Sequence, residues 1–217
     1  MPKKSSSSVR IYKPPIPEYD YGTIGHRGNG AGKLENTLAS CQDAVASGAE
    51  AVEVDIQLID GKLYTGHDSG VPAQNLKTIL EQIKVPLVLH LRRRGLDPRH
   101  DREAVRTLYL LLRREDISVA SFWPGTLRYM HREELGIRTI YLSWWPNPHL
   151  WFSRGKIANE YCSWHRTTNN RTVAAAKRRG VKLSVFTVPA KEKYRRKFRK
   201  LSIRRIVTDH VKFFATK

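Results

Sequence analysis

Histidine, arginine and carboxylate residues recur in three short groups in the first third of the chain: His26-Arg27-Gly28, Glu53-Val54-Asp55 and His67-Asp68. Glu53 and Asp55 stand at i and i+2, so an extended backbone projects both from one face. Two carboxylates that share a buried face need a cation or a hydrogen-bond network to offset their lost hydration. Oxygen donors of this kind suit Mg²⁺, Ca²⁺ or Mn²⁺. Two imidazoles can move protons in both directions near neutral pH, and Arg27 offers a guanidinium to an anionic oxygen. Gathered in one place, these groups are a kit for metal-assisted phosphoryl chemistry. Each group has a plainer reading taken singly: a common turn for His-Arg-Gly, a half-exposed strand for Glu-Val-Asp, another turn for His-Asp. Their order on successive strand ends is what points to a site.

The elements that must position them follow from the hydrophobic pattern. From Tyr21 onward, short apolar runs alternate with helical patterns, which predicts parallel βα units. Eight strands are expected at Gly22–Arg27, Ala51–Leu58, Pro86–Leu91, Ser118–Phe122, Arg138–Leu142, Ile157–Cys162, Lys182–Val188 and Arg205–Thr208. A short extended return, Lys62–Gly66, carries His67. Helices are expected near Glu35–Ser47, Leu76–Gln82, Asp101–Arg114, Gly125–Leu135, Arg171–Arg179 and Lys191–Lys200. Gly48, Gly136 and Gly180 each precede a strand, where a left-handed helix end belongs. The expected fold is α/β, a single-domain (β/α)8 TIM barrel over residues 21–217, whose catalytic face lies at the C-terminal ends of the strands. Pattern by itself leaves a doubly wound open sheet as an alternative. Residues 1–20, with Lys3, Lys4, four serines and Pro14, Pro15 and Pro17, read as a basic Ser/Pro-rich N-terminal extension.

At this point the chain resembles the glycerophosphodiester phosphodiesterases. The resemblance rests on His26-Arg27-Gly28, Glu35-Asn36-Thr37, Glu53-Val54-Asp55 and His67-Asp68, and continues more loosely through Val71-Pro72, Leu76–Leu80, Val185–Val188 and Ile206–Asp209. It implies a TIM barrel and metal-dependent hydrolysis of a phosphodiester, a glycerophosphodiester giving glycerol 3-phosphate and an alcohol. A neighbouring hydroxyl can attack first in such enzymes and give a cyclic phosphate. By matching position, the resemblance implies His26 and His67 as the acid/base pair, Arg27 as a phosphate ligand, and Glu53 and Asp55 as metal ligands. On the third strand the family's Glu-x-Lys stands here as His90-Leu91-Arg92. This makes His90 the third metal ligand and Arg92 a second phosphate contact, and extends the metals to transition ions. The segment between His67 and the third strand is also too short for the family's usual insertion, and Phe186 and Pro189 replace a usual Trp and Asn.

The chain has 217 residues, 40% hydrophobic and 27% charged, and no apolar run approaching the ~20 residues of a membrane span. Its N-terminus lacks the apolar stretch of a secretory signal. Cys41 and Cys162 read as reduced thiols, so the expectation is a cytoplasmic protein. The formal net charge of +19 exceeds what a small-metabolite enzyme needs and points to a polyanion, nucleic acid or an anionic membrane surface. The basic residues gather at Arg92-Arg93-Arg94 and between Lys191 and Lys200. Two other functions compete: a catalytically weakened barrel acting as a basic nucleic-acid-binding or assembly protein, and a lysophospholipase D-like enzyme at membranes. The last would use the aromatic segment Tyr141–Phe152, with Trp144, Trp145, His149 and Trp151, either as a pocket wall or as a membrane patch. His165-Arg166 is a weaker candidate phosphate contact, and Asp209 a candidate for orienting a catalytic group.

Overall fold

The computed structural model describes residues 22–30, 34–92, 98–111, 116–133, 135–145 and 157–215. The N-terminal extension, Arg93 and Arg94, and the aromatic stretch from Pro146 to Phe152 lie outside the described residues.

Among the described residues ten strands follow one another: β1 (Thr23–Gly25), β2 (Ala51–Ile59), β3 (Lys62–Thr65), β4 (Gln74–Asn75), β5 (Leu87–Leu91), β6 (Ile117–Ser121), β7 (Arg138–Ser143), β8 (Glu160–Trp164), β9 (Lys182–Phe186) and β10 (Ile206–Thr208). The parallel order β1-β10-β9-β8-β7-β6-β5-β2 closes on itself through a β1–β2 pairing. An open sheet is thereby excluded, and the fold is a (β/α)8 barrel. β3 runs antiparallel to the outer half of β2, and β4 to β3. The described helices are α1 (Leu38–Ala46), α2 (Leu76–Gln82), α3 (Pro98–Leu111), α4 (Pro124–Arg132), α5 (Asn170–Arg178), α6 (Glu192–Lys200) and α7 (Val211–Phe214). Gly48, Gly136 and Gly180 all have positive φ; Gly48 and Gly180 directly follow the caps Ser47 and Arg179, whereas α4 ends earlier than Gly136 predicts, at Arg132.

Period-two alternation sorts the strand residues. Val52, Val54, Ile56, Leu87 and Leu89 face outward and pack with Cys41 and Ala44 of α1 and Leu76 and Ile79 of α2. The barrel interior takes one apolar residue from every strand of the ring: Ile24, Ala51, Val88, Ala120, Ile140, Cys162, Phe186 and Val207. Cys41 and Cys162 are free and buried.

Several elements differ from their expected bounds by a few residues, and for two of them the physical reason is plain. The first strand leaves the sheet at Gly25, because Arg27 and Gly28 take φ values of 52° and 84° and turn the chain. The sixth ring strand begins at Glu160 rather than Ile157. Ile157 and Ala158 are spent on a cluster with Leu127, Tyr161 and Ala175, and the ladder to β7 starts at Ile140↔Glu160.

The lower end of the barrel holds a charged group that hydrophobic patterning does not reveal. Glu160, fully buried, receives hydrogen bonds from Arg138 at 2.8 Å and from Arg205. These residues stand at or beside the starts of β8, β7 and β10. Removing one partner of a buried ion group leaves uncompensated charge, which costs about 3–5 kcal/mol. Glu160→Ala is therefore expected to destabilise the barrel by about 3–5 kcal/mol in urea unfolding, while Glu160→Gln retains part of that stability through an amide acceptor.

Candidate active site

Inward alternation on β2 places Ala51, Glu53, Asp55 and Gln57 on one face, rising toward the C-terminal mouth. The β2–β5 register sets Asp55 beside His90. His90 Nδ1 lies 2.8 Å from Asp55 Oδ1 and 3.7 Å from Glu53 Oε1. Outward packing of Leu89 and Leu91 forces this inward placement of His90. One donor atom from each of Glu53, Asp55 and His90 falls within 4.8 Å of the others, all on buried residues. Two carboxylate oxygens and one imidazole nitrogen are a fitting donor set for a divalent cation, with some bias toward transition ions.

Cationic and amide groups surround this pair. Arg27 Nε approaches Asp55 Oδ2 to 3.0 Å without hydrogen-bond alignment, while its Nη1 donates to Glu35 at 2.8 Å. The left-handed backbone at Arg27 also lets its amide donate to Glu53 Oε2 at 2.9 Å. Arg92 Nε stands 3.9 Å from Asp55 Oδ1. Asn36 clamps Asp55 twice: its Oδ1 accepts from the Asp55 amide at 2.8 Å and its Nδ2 donates to Oδ2 at 3.2 Å. Burial works against the Asp55 carboxylate, but the His90 hydrogen bond and the charges of His90, Arg27 and Arg92 outweigh it and hold its pKa low. Burial and the Asp55 charge push the Glu53 pKa up.

His26 stands at the end of β1, and its Nδ1 lies 2.6 Å from Asp209 Oδ1, just past β10. The β1–β10 pairing, Gly25↔Thr208, creates this contact across 183 residues of sequence. The hydrogen bond leaves Nε2 as the ring atom available to a substrate. Burial pulls the His26 pKa down, but the Asp209 hydrogen bond and the charges of Glu53 and Asp209 outweigh it and raise it. The loop conformation here admits no extra bulk: a Cβ at Gly30 would meet Asp209 Oδ1 at 2.1 Å.

His67 follows β3 and pairs with Asp68, Nδ1 to Oδ1 at 2.9 Å. Gln57 secures that loop by donating to the Asp68 and Val71 carbonyls and accepting from the Gly70 amide. His26, Arg27, Glu53, Asp55, His67, His90 and Arg92 all line one cavity at the mouth. The opposite wall is aromatic. Phe122 and Trp144 stack at 5.5 Å and 4°, and Phe186 meets both edge-on. His165 and Arg166 do not line this cavity: His165 is buried against Tyr194, and Arg166 lies over Trp164.

Sequence reading passed over the positioning roles of Asn36 and Gln57 and the place of Phe122 in the wall. Period two offered a signal for two of them. Gln57 continues the Glu53–Asp55 face, and Phe122 continues the inward position of Ala120.

A model of the glycerophosphoryl diester phosphodiesterase family matches residues 26–79, the stretch that carries most of these side chains. No curated protein matches the chain. Among solved structures, the fold is similar to a candidate glycerophosphoryl diester phosphodiesterase of Silicibacter pomeroyi DSS-3, with TM-score 0.77 and 18% identity over 89% of this chain and 91% of that one. It is also similar to an Oleispira antarctica phosphodiesterase in complex with the product sn-glycerol-3-phosphate, with TM-score 0.74 and 19% identity over 89% and 94% of the two chains. The glycerophosphodiester phosphodiesterase of Thermotoga maritima gives TM-score 0.71 and 20% identity over 91% and 98%. At these identities the structural likeness establishes the fold. The resemblance read from the motifs thus stands on the family match over the first βα units and on the shared barrel.

The His26–Asp209 pair has a definite pH signature. A histidine whose folded pKa is raised contributes stability that is complete below its unfolded value, about 6.5. That contribution fades as pH rises through the raised folded value. Asp209→Asn should therefore lower the His26 pKa in an NMR titration, and should destabilise the protein more at pH 6 than at pH 9. A His26 titration unmoved by the substitution would show that the carboxylate does not hold the ring's proton.

Proposed function

We propose that the chain is a metal-dependent phosphodiesterase that hydrolyses a glycerophosphodiester to glycerol 3-phosphate and an alcohol. The observation that carries this reading is the convergence of Glu53, Asp55 and His90 on one small volume, beside His26 backed by Asp209. The family match, which spans His26, Glu53 and Asp55, and the glycerol 3-phosphate bound to the Oleispira enzyme support the substrate class.

Arg27 and Arg92 hold the non-bridging oxygens of the phosphate, the first as a planar guanidinium already oriented by Glu35 and Asp55. Glu53, Asp55 and His90 would hold a divalent cation, which when bound would supply Lewis-acid stabilisation of the charge on the phosphoryl oxygens. His26 enters as the imidazolium, its Nδ1 proton accepted by Asp209, and gives the Nε2 proton to the leaving oxygen. His67, on another loop of the same cavity, takes the proton of the attacking hydroxyl; attack by water gives glycerol 3-phosphate directly, whereas attack by a neighbouring substrate hydroxyl gives a cyclic phosphate that water then opens to it. The aromatic wall shields the reacting centre from bulk water and strengthens these interactions.

His26→Ala and His67→Ala are each expected to lower kcat on a chromogenic phosphodiester by about 10²–10⁴-fold, with metal content and fold unchanged. Rates near wild type in both, at equal metal content, would remove the acid/base assignment. Chelation is expected to abolish turnover, with recovery on adding back a divalent ion. His90→Glu should strengthen Mg²⁺ and Ca²⁺ binding, and His90→Ala should weaken Mn²⁺ and Zn²⁺ binding, both read by titration calorimetry. Identical metal preferences in the three proteins would show that His90 is not a ligand.

A further inference from the structure

A ridge of aromatic rings leaves the cavity mouth in a direction that hydrolysis does not require. Trp144, at the end of β7, meets Trp164 edge-on at 5.9 Å. Trp164 meets His165 at 5.6 Å, and His165 meets Tyr194 of α6 at 4.8 Å. The end of the ridge at the cavity mouth is open to solvent, with Trp144 52% and Trp145 75% exposed. Cations are set along it. Arg166 lies 5.2 Å over Trp164, Lys193 lies 5.2 Å over Tyr194, and Lys197 Nζ donates to the His165 carbonyl at 2.9 Å. Exposed Lys191, Arg196, Arg199 and Lys200 extend the positive surface along α6. Between Arg166 and Lys200 the chain carries thirteen lysines and arginines and a single acid, Glu192.

We propose that this ridge docks the cavity mouth onto an anionic lipid surface. Exposed indoles favour the headgroup layer, where the apolar ring and the polar N–H are both satisfied. Basic side chains beside them are drawn to anionic headgroups while their stems lie along apolar surface. Single-stranded nucleic acid also takes rings and cations, but it needs ring faces on which bases stack. Three of the rings here already have a face taken by a protein group. Phe122 stacks on Trp144, Arg166 covers Trp164, and Tyr194 carries both Lys193 and a stacked Phe198. Docking in this way holds the cavity against the lipid headgroups, so an apolar substituent on the substrate can remain in the membrane. The docking itself does not depend on the hydrolytic reading.

The test is co-sedimentation of the full chain with phosphatidylcholine vesicles, with or without phosphatidylglycerol, beside a single-stranded oligonucleotide at the same salt. The expected result is partitioning onto the anionic vesicles that weakens with salt, with a blue shift of tryptophan emission and quenching by brominated lipid. Trp145→Ser should lower partitioning roughly tenfold. Arg166→Gln with Lys193→Gln should lower it roughly 25-fold, at about fivefold for each basic residue. Both variants should retain hydrolysis of a soluble chromogenic diester. The emission shift and quenching are read on the unaltered protein, so the proposal stays open to refutation even if a variant fails to fold. Equal partitioning onto pure phosphatidylcholine, no vesicle binding at low salt, or tighter binding to the oligonucleotide than to anionic vesicles would each overturn it.

Discussion

Glu53 and Asp55 are buried two residues apart on the inner face of β2, and most of the surrounding architecture compensates that charge. Water is not there to solvate them, so the protein supplies donors and cations instead. The left-handed backbone of Arg27 aims an amide at Glu53 while its side chain turns to Asp55 and Glu35. Asn36, itself at positive φ, clamps Asp55 from the far side of the turn. The β2–β5 register brings in His90. A shift of that register by one residue would bring Leu89 or Leu91 inward instead and leave the carboxylates without their imidazole.

The two carboxylates also divide the labour. Asp55 collects nearly all the positive partners and stays ionised, whereas burial and the neighbouring charge push Glu53 toward holding a proton. A divalent cation at these carboxylates would offset the charge that holds the two apart. Arg27 and His90, which hold the Asp55 pKa low, stand beside the same carboxylates that would take such an ion.

The far end of the barrel solves a similar problem differently. Glu160 is neutralised by Arg138 of the neighbouring β7 and by Arg205 just before β10, and the group ties β7, β8 and the approach to β10 together. Between the two charged layers lies the apolar ring from Ile24 to Val207. Chemistry and stability thus sit at opposite ends, as a barrel with its catalytic loops on one face allows. The aromatic wall bridges them, since Phe186 belongs to the apolar ring and also faces the cavity.

Much of this was legible in the sequence. Alternation of apolar runs predicts all eight ring strands, the i, i+2 spacing predicts that Glu53 and Asp55 share a face, and the glycines after helices mark their ends. These are local properties, set by backbone periodicity and φ preference. What lay beyond reach depends on contacts between distant strands. Closure of the ring joins His26 to Asp209 and removes the open-sheet alternative. The start of β8 moved to Glu160 because tertiary packing claimed Ile157 and Ala158. The Arg138–Glu160–Arg205 group was invisible because a charged residue at a strand start reads as solvated until a neighbouring strand covers it. Arg27, read as a phosphate ligand, also proves to be a partner of Asp55 and Glu35. The sequence by itself determined which residues could do chemistry and on which face of each strand they stand. The tertiary structure decided which of them meet, because register and ring closure are set by the packing of the whole barrel and not by any one segment.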